Sequence, residues 1–206
     1  MKVFINVATA EKGIILYEDS QIRDGIFWNE AGAELKWVLP SLYKLLQNNE
    51  LKIEEDIEKI VIVSGPGSFT GIRIAVSIVN TLKYLYPHIH VSALSTGELL
   101  AAVDSSKHSQ YLFQVFASDI FVFNKEGIFQ GRKSIEDLTD YDIENSTGSL
   151  MGDALKNYPE FEMIPEMSHW RIEKILCIDT KSIEVQDLAE PFYGKGANIT
   201  VPKISQ

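Results

Sequence analysis

The first 28 residues contain three short segments that differ in hydrophobic pattern and are separated by turn residues. Residues 3–9 and 13–17 are mostly apolar, and Glu11-Lys12-Gly13 between them favours a turn. A third, more polar segment covers residues 22–28. This pattern predicts three strands that pair as an antiparallel meander.

Helical spacing replaces this pattern at residues 35–47, where apolar side chains recur every three to four positions. Pro40 lies inside the segment, so the helix either bends at Pro40 or begins there. The apolar stripe consists of Leu35, Val38, Leu39, Leu42, Leu45 and Leu46.

A continuous apolar run at residues 60–63 predicts a central strand that is buried on both faces. A glycine-rich loop at 64–71 follows, and a helix then extends to about Tyr86, because Pro87 cannot continue it. Residues 90–94 predict a further strand, and residues 97–103 predict a further helix.

The second half of the chain has a weaker pattern. Residues 111–116 and 120–123 predict a hairpin joined at 117–119 and extended by 127–130, and Leu150-Met151 predicts a short strand. A helix is expected over 168–177. Both halves place strands before helices, which indicates two related α/β subdomains. The polar stretch 105–109 sets the boundary, giving subdomains at 1–105 and 106–206, the second of them smaller.

Composition and charge exclude several classes of protein. Hydrophobic residues make up 45% of the 206 positions, which is ordinary for a globular protein and argues against disorder. The chain has 19 basic and 29 acidic residues, a net charge of -10, so it lacks the positive field with which a protein grips nucleic acid. Cys177, the only cysteine, cannot form an intrachain disulfide and is expected to be a small buried hydrophobe.

The sequence also bears on location. The N-terminus lacks the apolar region of a signal peptide, and no stretch approaches the ~20 apolar residues that span a bilayer. We therefore expect no membrane association and a cytoplasmic location.

The glycine-rich loop is the most informative segment. It joins a buried strand to a helix, whose first turn offers free N–H groups, so it suits either an anion site or a tight turn with no ligand. No lysine lies in the loop, and its third glycine comes one residue too late for a dinucleotide-binding fingerprint. The segment reads Ser64-Gly65-Pro66-Gly67-Ser68-Phe69-Thr70-Gly71-Ile72-Arg73.

As a whole, this loop closely resembles the signature of the TsaB (YeaZ) family, bacterial proteins needed to make threonylcarbamoyladenosine beside the anticodon of tRNAs. Looser matches span most of the chain. They are Ile5-Asn6-Val7-Ala8-Thr9, Val38-Leu39-Pro40, Met151-Gly152-Asp153-Ala154 and Glu190-Pro191-Phe192-Tyr193.

The resemblance implies an actin/Hsp70-like (ribonuclease H-like) fold of two subdomains, the C-terminal one reduced. It also implies a non-catalytic partner of the catalytic subunit TsaD, in a complex that includes a TsaE-like ATPase and reaches tRNA only through its other members. Alone, such a chain is expected to form a homodimer. The resemblance implies no cofactor for the chain by itself, with a site for ATP or ADP left open at the interface of the complex.

The sequence departs from the family pattern at three places. Asn6 stands where the family usually has Asp, and Glu34 stands near its usual His. The usual Asp-Ala-Arg stretch is not recognisable around residues 115–119. Because Asn6 removes a carboxylate that would coordinate Mg²⁺, independent ATP hydrolysis is disfavoured.

Catalytic residues are not evident in the sequence. The histidines His88, His90, His108 and His169 form no metal-binding pair on a helix, and we expect the two nearest, His88 and His90, to be surface residues. The acidic tracts 54–56 and 136–137 are expected to be solvated faces or first turns of helices. Two alternatives to the partner role remain, an independent ATP-dependent phosphotransferase and a glycoprotease-like peptidase.

The helices suggest where a partner binds. The apolar arc of the helix at 72–86 covers roughly 200°, about twice what one sheet needs, so a neighbouring helix or another chain must cover the remainder. Burial against the helix at 35–47 and contact with a partner are compatible. The wheel sets Trp37 opposite the apolar stripe of its helix, together with Ser41, Lys44 and Asn48. The predicted interface comprises Trp37, Ser41, Lys44, Ile74, Ile78, Tyr84 and Leu85.

Overall fold

The computed structural model describes residues 1–19, 21–30, 34–104, 108–115, 119–161, 163–164 and 185–194. Five strands form the first sheet: β1 Lys2–Asn6, β2 Lys12–Glu18, β3 Gln21–Trp28, β4 Lys59–Gly65 and β5 His90–Ser95. Their order is β3-β2-β1-β4-β5. The first three strands pair antiparallel, as the meander prediction required, and β4 and β5 add in parallel on the other side of β1.

Four helices follow the strands of this sheet: α1 Glu34–Asn48, α2 Ile53–Asp56, α3 Phe69–Leu85 and α4 Thr96–Val103. The connection from β3 to β4 and the connection from β4 to β5 each join two parallel strands, and both run toward the β5 edge of the sheet. Right-handed crossovers therefore place α1 and α3 on one face, where they pack against each other. α4 packs against both β4 and the second sheet, so it lies between the two sheets.

The helix predicted at 35–47 is continuous through Pro40. It begins at Glu34, and Pro40 lies in its interior, so the alternative in which the helix starts at Pro40 is wrong. Both Pro40 and Lys36, the residue four positions earlier, are exposed. Water can therefore hydrate the Lys36 carbonyl that loses its helical donor, which makes the proline tolerable on this face.

The second sheet repeats the plan of the first. Its strands are β6 Gln110–Gln114, β7 Ile120–Asn124, β8 Phe129–Lys133 and β9 Ser146–Ser149, in the order β8-β7-β6-β9. As in the first sheet, the first three strands pair antiparallel and the fourth joins in parallel. Two short helices, α5 Asp140–Glu144 and α6 Gly152–Asn157, flank β9. This shared order supports the prediction of two related α/β units.

Some predictions for the second half are wrong or lie outside the described residues. The strand expected at Leu150-Met151 is wrong in position. The observed strand, β9, begins four residues earlier at Ser146, and Leu150 and Met151 follow its end. Its sequence, Ser-Thr-Gly-Ser, has no apolar pattern, and yet Ser146 and Thr147 are buried. The helix expected at 168–177, with Cys177 and His169, lies outside the described residues, as do the hairpin turn at 116–118 and the boundary at 105–107.

In the part of the chain that the structure describes, most of the buried apolar side chains pack in the core of the first sheet. The residues of β4 between Ile60 and Val63 are all buried, which confirms a central strand covered on both faces. In the second sheet, side chains alternate: Tyr111 and Phe113 face α4, and Leu112 faces the cluster under α5 and α6. Among the described residues, no helix has both the length and the apolar content to cross a membrane.

Candidate functional site: the glycine-rich loop and the helix surface beside it

The glycine-rich loop makes close contacts with three distant parts of the chain. Gly65 ends β4 with φ of +114°, and a Cβ atom there would strike the carbonyl oxygen of Phe192 and lie 2.8 Å from Ile72 Cδ1. A Cβ at Gly67 would overlap the backbone of Ala8, in the turn after β1. These positions therefore require glycine because backbone crosses backbone there.

Hydrogen bonds fix the same crossing. The Ser68 N–H donates to the Ala8 carbonyl at 2.9 Å, and the Thr96 hydroxyl donates to the Pro66 carbonyl at 2.6 Å. The Phe192 N–H donates to the Ser64 carbonyl at 2.8 Å. The loop thus connects the turn after β1, the start of α4 and the segment around Phe192.

This geometry favours the tight-turn interpretation of the loop over an anion site. Residues 64–67 are buried, and the atoms that approach Gly65 and Gly67 most closely are carbonyl oxygens, which repel an anion. At the start of α3, the Ser68 hydroxyl accepts the Gly71 N–H at 3.3 Å and caps the helix with the chain's own oxygen.

The exposed part of the signature is an aromatic and cationic cluster. Phe69 is half exposed at the first position of α3, and its ring lies 4.8 Å from that of Tyr193. The Arg73 guanidinium lies over the same Phe69 ring, 5.1 Å from its centroid, in a cation–π contact. Thr70 is also exposed beside this cluster.

The Asn6 side chain forms hydrogen bonds within the turn that follows β1. It is fully buried at the end of β1, and its Oδ1 accepts the Ala8 N–H at 2.9 Å. Its Nδ2 donates to Thr9 Oγ1 at 2.7 Å and to the Glu11 carbonyl at 3.4 Å, so the amide organises the turn before β2. A carboxylate has no donor for the Glu11 carbonyl, which gives the departure from Asp a structural reason.

Sequence reasoning missed a polar and aromatic cluster at the same end of the sheet. Lys12, at the start of β2, is buried, and its Nζ donates to the Glu30 carbonyl at 3.2 Å. Trp28 stacks on Trp37 with ring centroids 6.1 Å apart, and Trp37 Nε1 donates to a Glu30 carboxylate oxygen at 3.1 Å. Lys12 was placed in the turn predicted at 11–13, so its pairing with Trp28 across β2 and β3 had no signal in the sequence.

Two carboxylates have defined partners in the second half. Burial raises the pKa of Asp142, but hydrogen bonds from Lys133 and Thr139 outweigh burial and hold that pKa below its usual range. Burial, with Asp104 beside it, raises the pKa of Tyr111 to about 12. The Tyr111 hydroxyl donates to Asp104 at 3.3 Å and thereby ties β6 to the end of α4.

The described residues include no cluster of three or more His, Cys, Asp or Glu side chains that would hold a metal ion. His88 and His90 are exposed, as predicted for surface residues. The acidic tracts 54–56 and 136–137 lie in the first turns of α2 and of a 3₁₀ turn at Ile135–Asp137, which confirms the helix-turn interpretation.

The predicted interface residues divide into an exposed group and an inward group. Tyr84 and Leu85 are 82% and 58% exposed near the end of α3, and Lys44 is exposed on α1. Ile74 and Ile78 are half-buried, and Ile78 packs on the core.

Trp37 and Ser41 do not lie on the exposed face that the helical wheel assigned to them. Ser41 is only 3% exposed, and Trp37 is half-buried against Trp28 and the core. Leu39, expected on the buried stripe, instead faces outward, as does Tyr43. The reason is that α1 packs against both α3 and the β2–β3 strands, which turns its buried face toward Ser41 and away from Leu39.

Comparison with known proteins identifies relatives of the chain. The family model for TsaD, tRNA N6-adenosine threonylcarbamoyltransferase, matches residues 23–112. The tRNA threonylcarbamoyladenosine biosynthesis protein TsaB of Bacillus subtilis is 32% identical over 117 residues, or 57% of this chain and 47% of that protein. TsaB of Buchnera aphidicola is 30% identical over 93 residues, or 45% of this chain and 40% of that protein. Over these segments, this chain is similar to the TsaB (YeaZ) proteins.

The fold agrees with this relationship. The crystal structure of an uncharacterized protein with similarity to peptidase YeaZ from Pseudomonas aeruginosa has a TM-score of 0.70 to this chain, at 16% identity. The match covers 94% of this chain and 99% of that one, and it confirms the predicted fold class. At such low identity it shows the fold alone. The chain spans about half the length of the TsaB relatives it matches.

The family match is confined to one part of the fold. Residues 23–112 run from β3 into β6, so they include α1, the glycine-rich loop and α3. The strands β7 to β9 lie outside it. The match to the TsaD model, the glycine-rich loop and the outward surface of α1 and α3 therefore belong mainly to the first sheet.

Proposed function

We propose that this chain takes part in the biosynthesis of threonylcarbamoyladenosine in tRNA, as the non-catalytic partner of a TsaD-type subunit. TsaD would transfer the threonylcarbamoyl group to the adenosine next to the anticodon, and this chain would hold TsaD in its active form. The names of its TsaB relatives support the pathway, and the resemblance of the signature loop supports the role. The proposal places the chain in the cytoplasm with that complex.

The outward surface of α1 and α3 is the observation that carries the partner role. These helices lie side by side on one face of the first sheet and leave large apolar side chains in solvent. Tyr84 and Leu85 are the most exposed of them, and Leu39 and Tyr43 extend the set on α1. Exposed aromatic and aliphatic side chains grouped on adjacent elements are typical of protein interfaces.

The interface residues have different proposed roles, which follow from how exposed each side chain is. Tyr84 and Leu85 would make direct contact, with Lys44 at the rim and Ile74 and Ile78 beneath. Trp37 would support the surface through its stack on Trp28, and Ser41 would contribute only to packing within the chain. In the absence of TsaD, the same apolar surface would pair with a second copy of the chain.

The net charge supports the proposal that other members of the complex bind the tRNA. With a net charge of -10, the chain repels a polyanion, so basic surfaces of its partners would hold the tRNA. A TsaE-like ATPase completes the proposed complex. Because the Asn6 amide is engaged within its own turn, any ATP or ADP would bind at the interface of the complex rather than to this chain alone.

The test compares two substitutions of equal chemistry on different surfaces. Leu85→Glu would place a carboxylate in the proposed interface, and Ile128→Glu introduces the same change at a side chain that is equally exposed, at 59% against 58%, but lies before β8. We expect Leu85→Glu to weaken binding to the TsaD-type subunit at least about 30-fold, because a buried, unpaired charge costs more than 2 kcal/mol. Ile128→Glu should leave binding unchanged.

Binding is read on a sizing column and by calorimetry, and function by tRNA modification in a mixture of this chain, the TsaD-type subunit, the ATPase and the enzyme that makes the threonylcarbamoyl donor. Undiminished complex formation by Leu85→Glu would exclude this surface. Absence of modified tRNA with every component present would overturn the proposed function. Tight binding of Mg-ATP by the chain alone would favour the phosphotransferase alternative.

A further inference from the structure

Residues 185–194 form an extended segment, here called the strap, that touches both sheets and α3. At its start, the Gln186 N–H donates to the Val91 carbonyl at 2.8 Å and bridges the outer edge of β5. Further along, Phe192 packs edge-on against Phe129 of β8, with ring centroids 5.5 Å apart. The strap thus runs from the edge of the first sheet to a strand of the second.

Along the way, the strap is bonded to the side of α3. Asn80 Nδ2 donates to the Ala189 carbonyl at 2.9 Å, and the Ala189 N–H donates back to Asn80 Oδ1 at 2.8 Å. A paired amide–backbone contact of this kind fixes both distance and orientation. Ala189 is itself buried in the core of the first sheet.

The strap also contacts the glycine-rich signature loop. The Phe192 N–H donates to the Ser64 carbonyl, and the Phe192 carbonyl lies against Gly65. The next residue, Tyr193, carries the ring that contacts Phe69 at the start of α3. α3 is therefore held by the strap at its N-terminus and again at Asn80, in its C-terminal half.

The order of the sheet places α3 between two supports. α1 packs over β2 and β3, α3 packs over β4 and β5, and the strap lies at the outer edge of β5. On the helical wheel, Asn80 lies about 140–160° from Ile78 and Leu85. The strap thus binds the flank of α3 opposite Ile78 and Leu85, whereas Tyr84 lies about 40° from Asn80 on the same flank.

We propose that the strap is a conformational device: its docking sets the position of α3, and its release weakens the surface that α3 presents to a partner. This inference rests on the proposed function for the identity of the partner. It gives the second half of the chain a role in binding although the proposed interface belongs to the first half. Local opening of the strap costs less free energy than opening of β4, because the strap is held by a few hydrogen bonds and ring contacts, whereas β4 is held by a full ladder on both edges.

Two pairs of full-length variants test this device. Asn80→Ala removes both side-chain bonds to Ala189, and Ser77→Ala is its control at an exposed residue of α3, three positions earlier. Gln186→Pro removes the N–H that bonds Val91, and Gln186→Ala keeps that N–H and serves as the second control. The second pair leaves α3 itself untouched.

The first readout is amide hydrogen exchange of each chain alone. A hydrogen bond contributes about 0.5–1.5 kcal/mol, so Asn80→Ala should speed exchange of residues 185–194 about ten-fold or more, and Gln186→Pro about five-fold. Exchange in α3 should rise with it, and exchange in β4 should not. The controls should match the unsubstituted chain.

The second readout is affinity for the TsaD-type subunit. Both strap variants should bind at least about three-fold more weakly than their controls, in the order of their effect on exchange. Unchanged exchange in the strap or α3, or faster exchange with unchanged affinity, would overturn the inference. If the unsubstituted chain does not bind TsaD, the proposed function is wrong, and the coupling of strap to α3 is then decided by exchange alone.

Discussion

Lys133→Met is the sharpest test of the energetics of the second sheet. Lys133 ends β8, and its Nζ donates to both carboxylate oxygens of Asp142, at 2.6 and 2.7 Å. The Asp142 side chain is only 5% exposed and accepts three further hydrogen bonds, from the N–H and the hydroxyl of Thr139 and, at 3.5 Å, from Gln110 Nε2. Methionine keeps most of the apolar stem of lysine and removes the ammonium, so the buried carboxylate loses its only charged partner among these donors.

The magnitude follows from the burial of the pair. Hydrogen bonds to charged groups are each worth about 1.5–3 kcal/mol, and the part exposure of Lys133 places the loss at about 2–3 kcal/mol rather than at the upper limit for a buried ion pair. For a chain of this size, that loss corresponds to a fall in Tm of about 4–12 °C.

The assay is urea unfolding followed by circular dichroism at pH 7.5, with thermal melts as a second measure. Lys125→Met is the matched control: it makes the same change of net charge, and its contact with Glu126, at 3.6 Å, has side chains 70% and 52% exposed. It should cost less than about 0.5 kcal/mol. An equal, small effect of both substitutions would show that the uncharged donors Thr139 and Gln110 satisfy Asp142 without Lys133, and the reasoning would be refuted.

Three further predictions concern the turn after β1, the glycine-rich loop and acid stability. Asn6→Asp should lower the free energy of unfolding at pH 7.5 by about 2–3 kcal/mol, because it buries a carboxylate and loses a donor, while Asn29→Asp in an exposed loop stays within about 0.5 kcal/mol in the same urea assay. Gly67→Ala should cost about 3 kcal/mol or more in thermal melts, since its methyl group overlaps the backbone of Ala8. Because the pKa of Asp142 is lowered on folding, its stabilising effect should be complete above about pH 4 and disappear as pH falls through that lowered pKa; Asp142→Asn should flatten this part of an acid titration.

The sequence predicted the elements whose burial follows a simple period. The apolar run at 60–63 became β4, and the spacing after it became α3. The strand β9 was misplaced because Ser146-Thr147-Gly148-Ser149 is buried through its small size and its pairing with β6, which no hydrophobic pattern reports. On α1, a helical wheel identifies the apolar stripe but does not show how α3 and the β2–β3 strands together cover the helix. The wheel therefore predicted that Leu39 is buried and Ser41 exposed, whereas the structure has Ser41 buried and Leu39 exposed.

The sequence identified the residues of the candidate site but not the contacts that hold them in place. The loop was found from its residues, and its contacts with Ala8, Thr96 and Phe192 were not, because they join backbone atoms far apart in sequence. The same holds for the strap, which is bonded to Asn80 from 109 positions away. Main-chain contacts between residues so far apart in sequence impose no periodic pattern of polar and apolar side chains.

The crossing of backbones at Gly65 and Gly67 changes what the signature motif tells a reader of sequences. Any chain that passes its first turn and a later segment this close to the end of β4 must keep glycine there, whatever reaction its complex performs. The motif is thus a mark of how the chain is threaded. It reports the course of the backbone at the end of β4 and by itself says nothing about the chemistry of the complex.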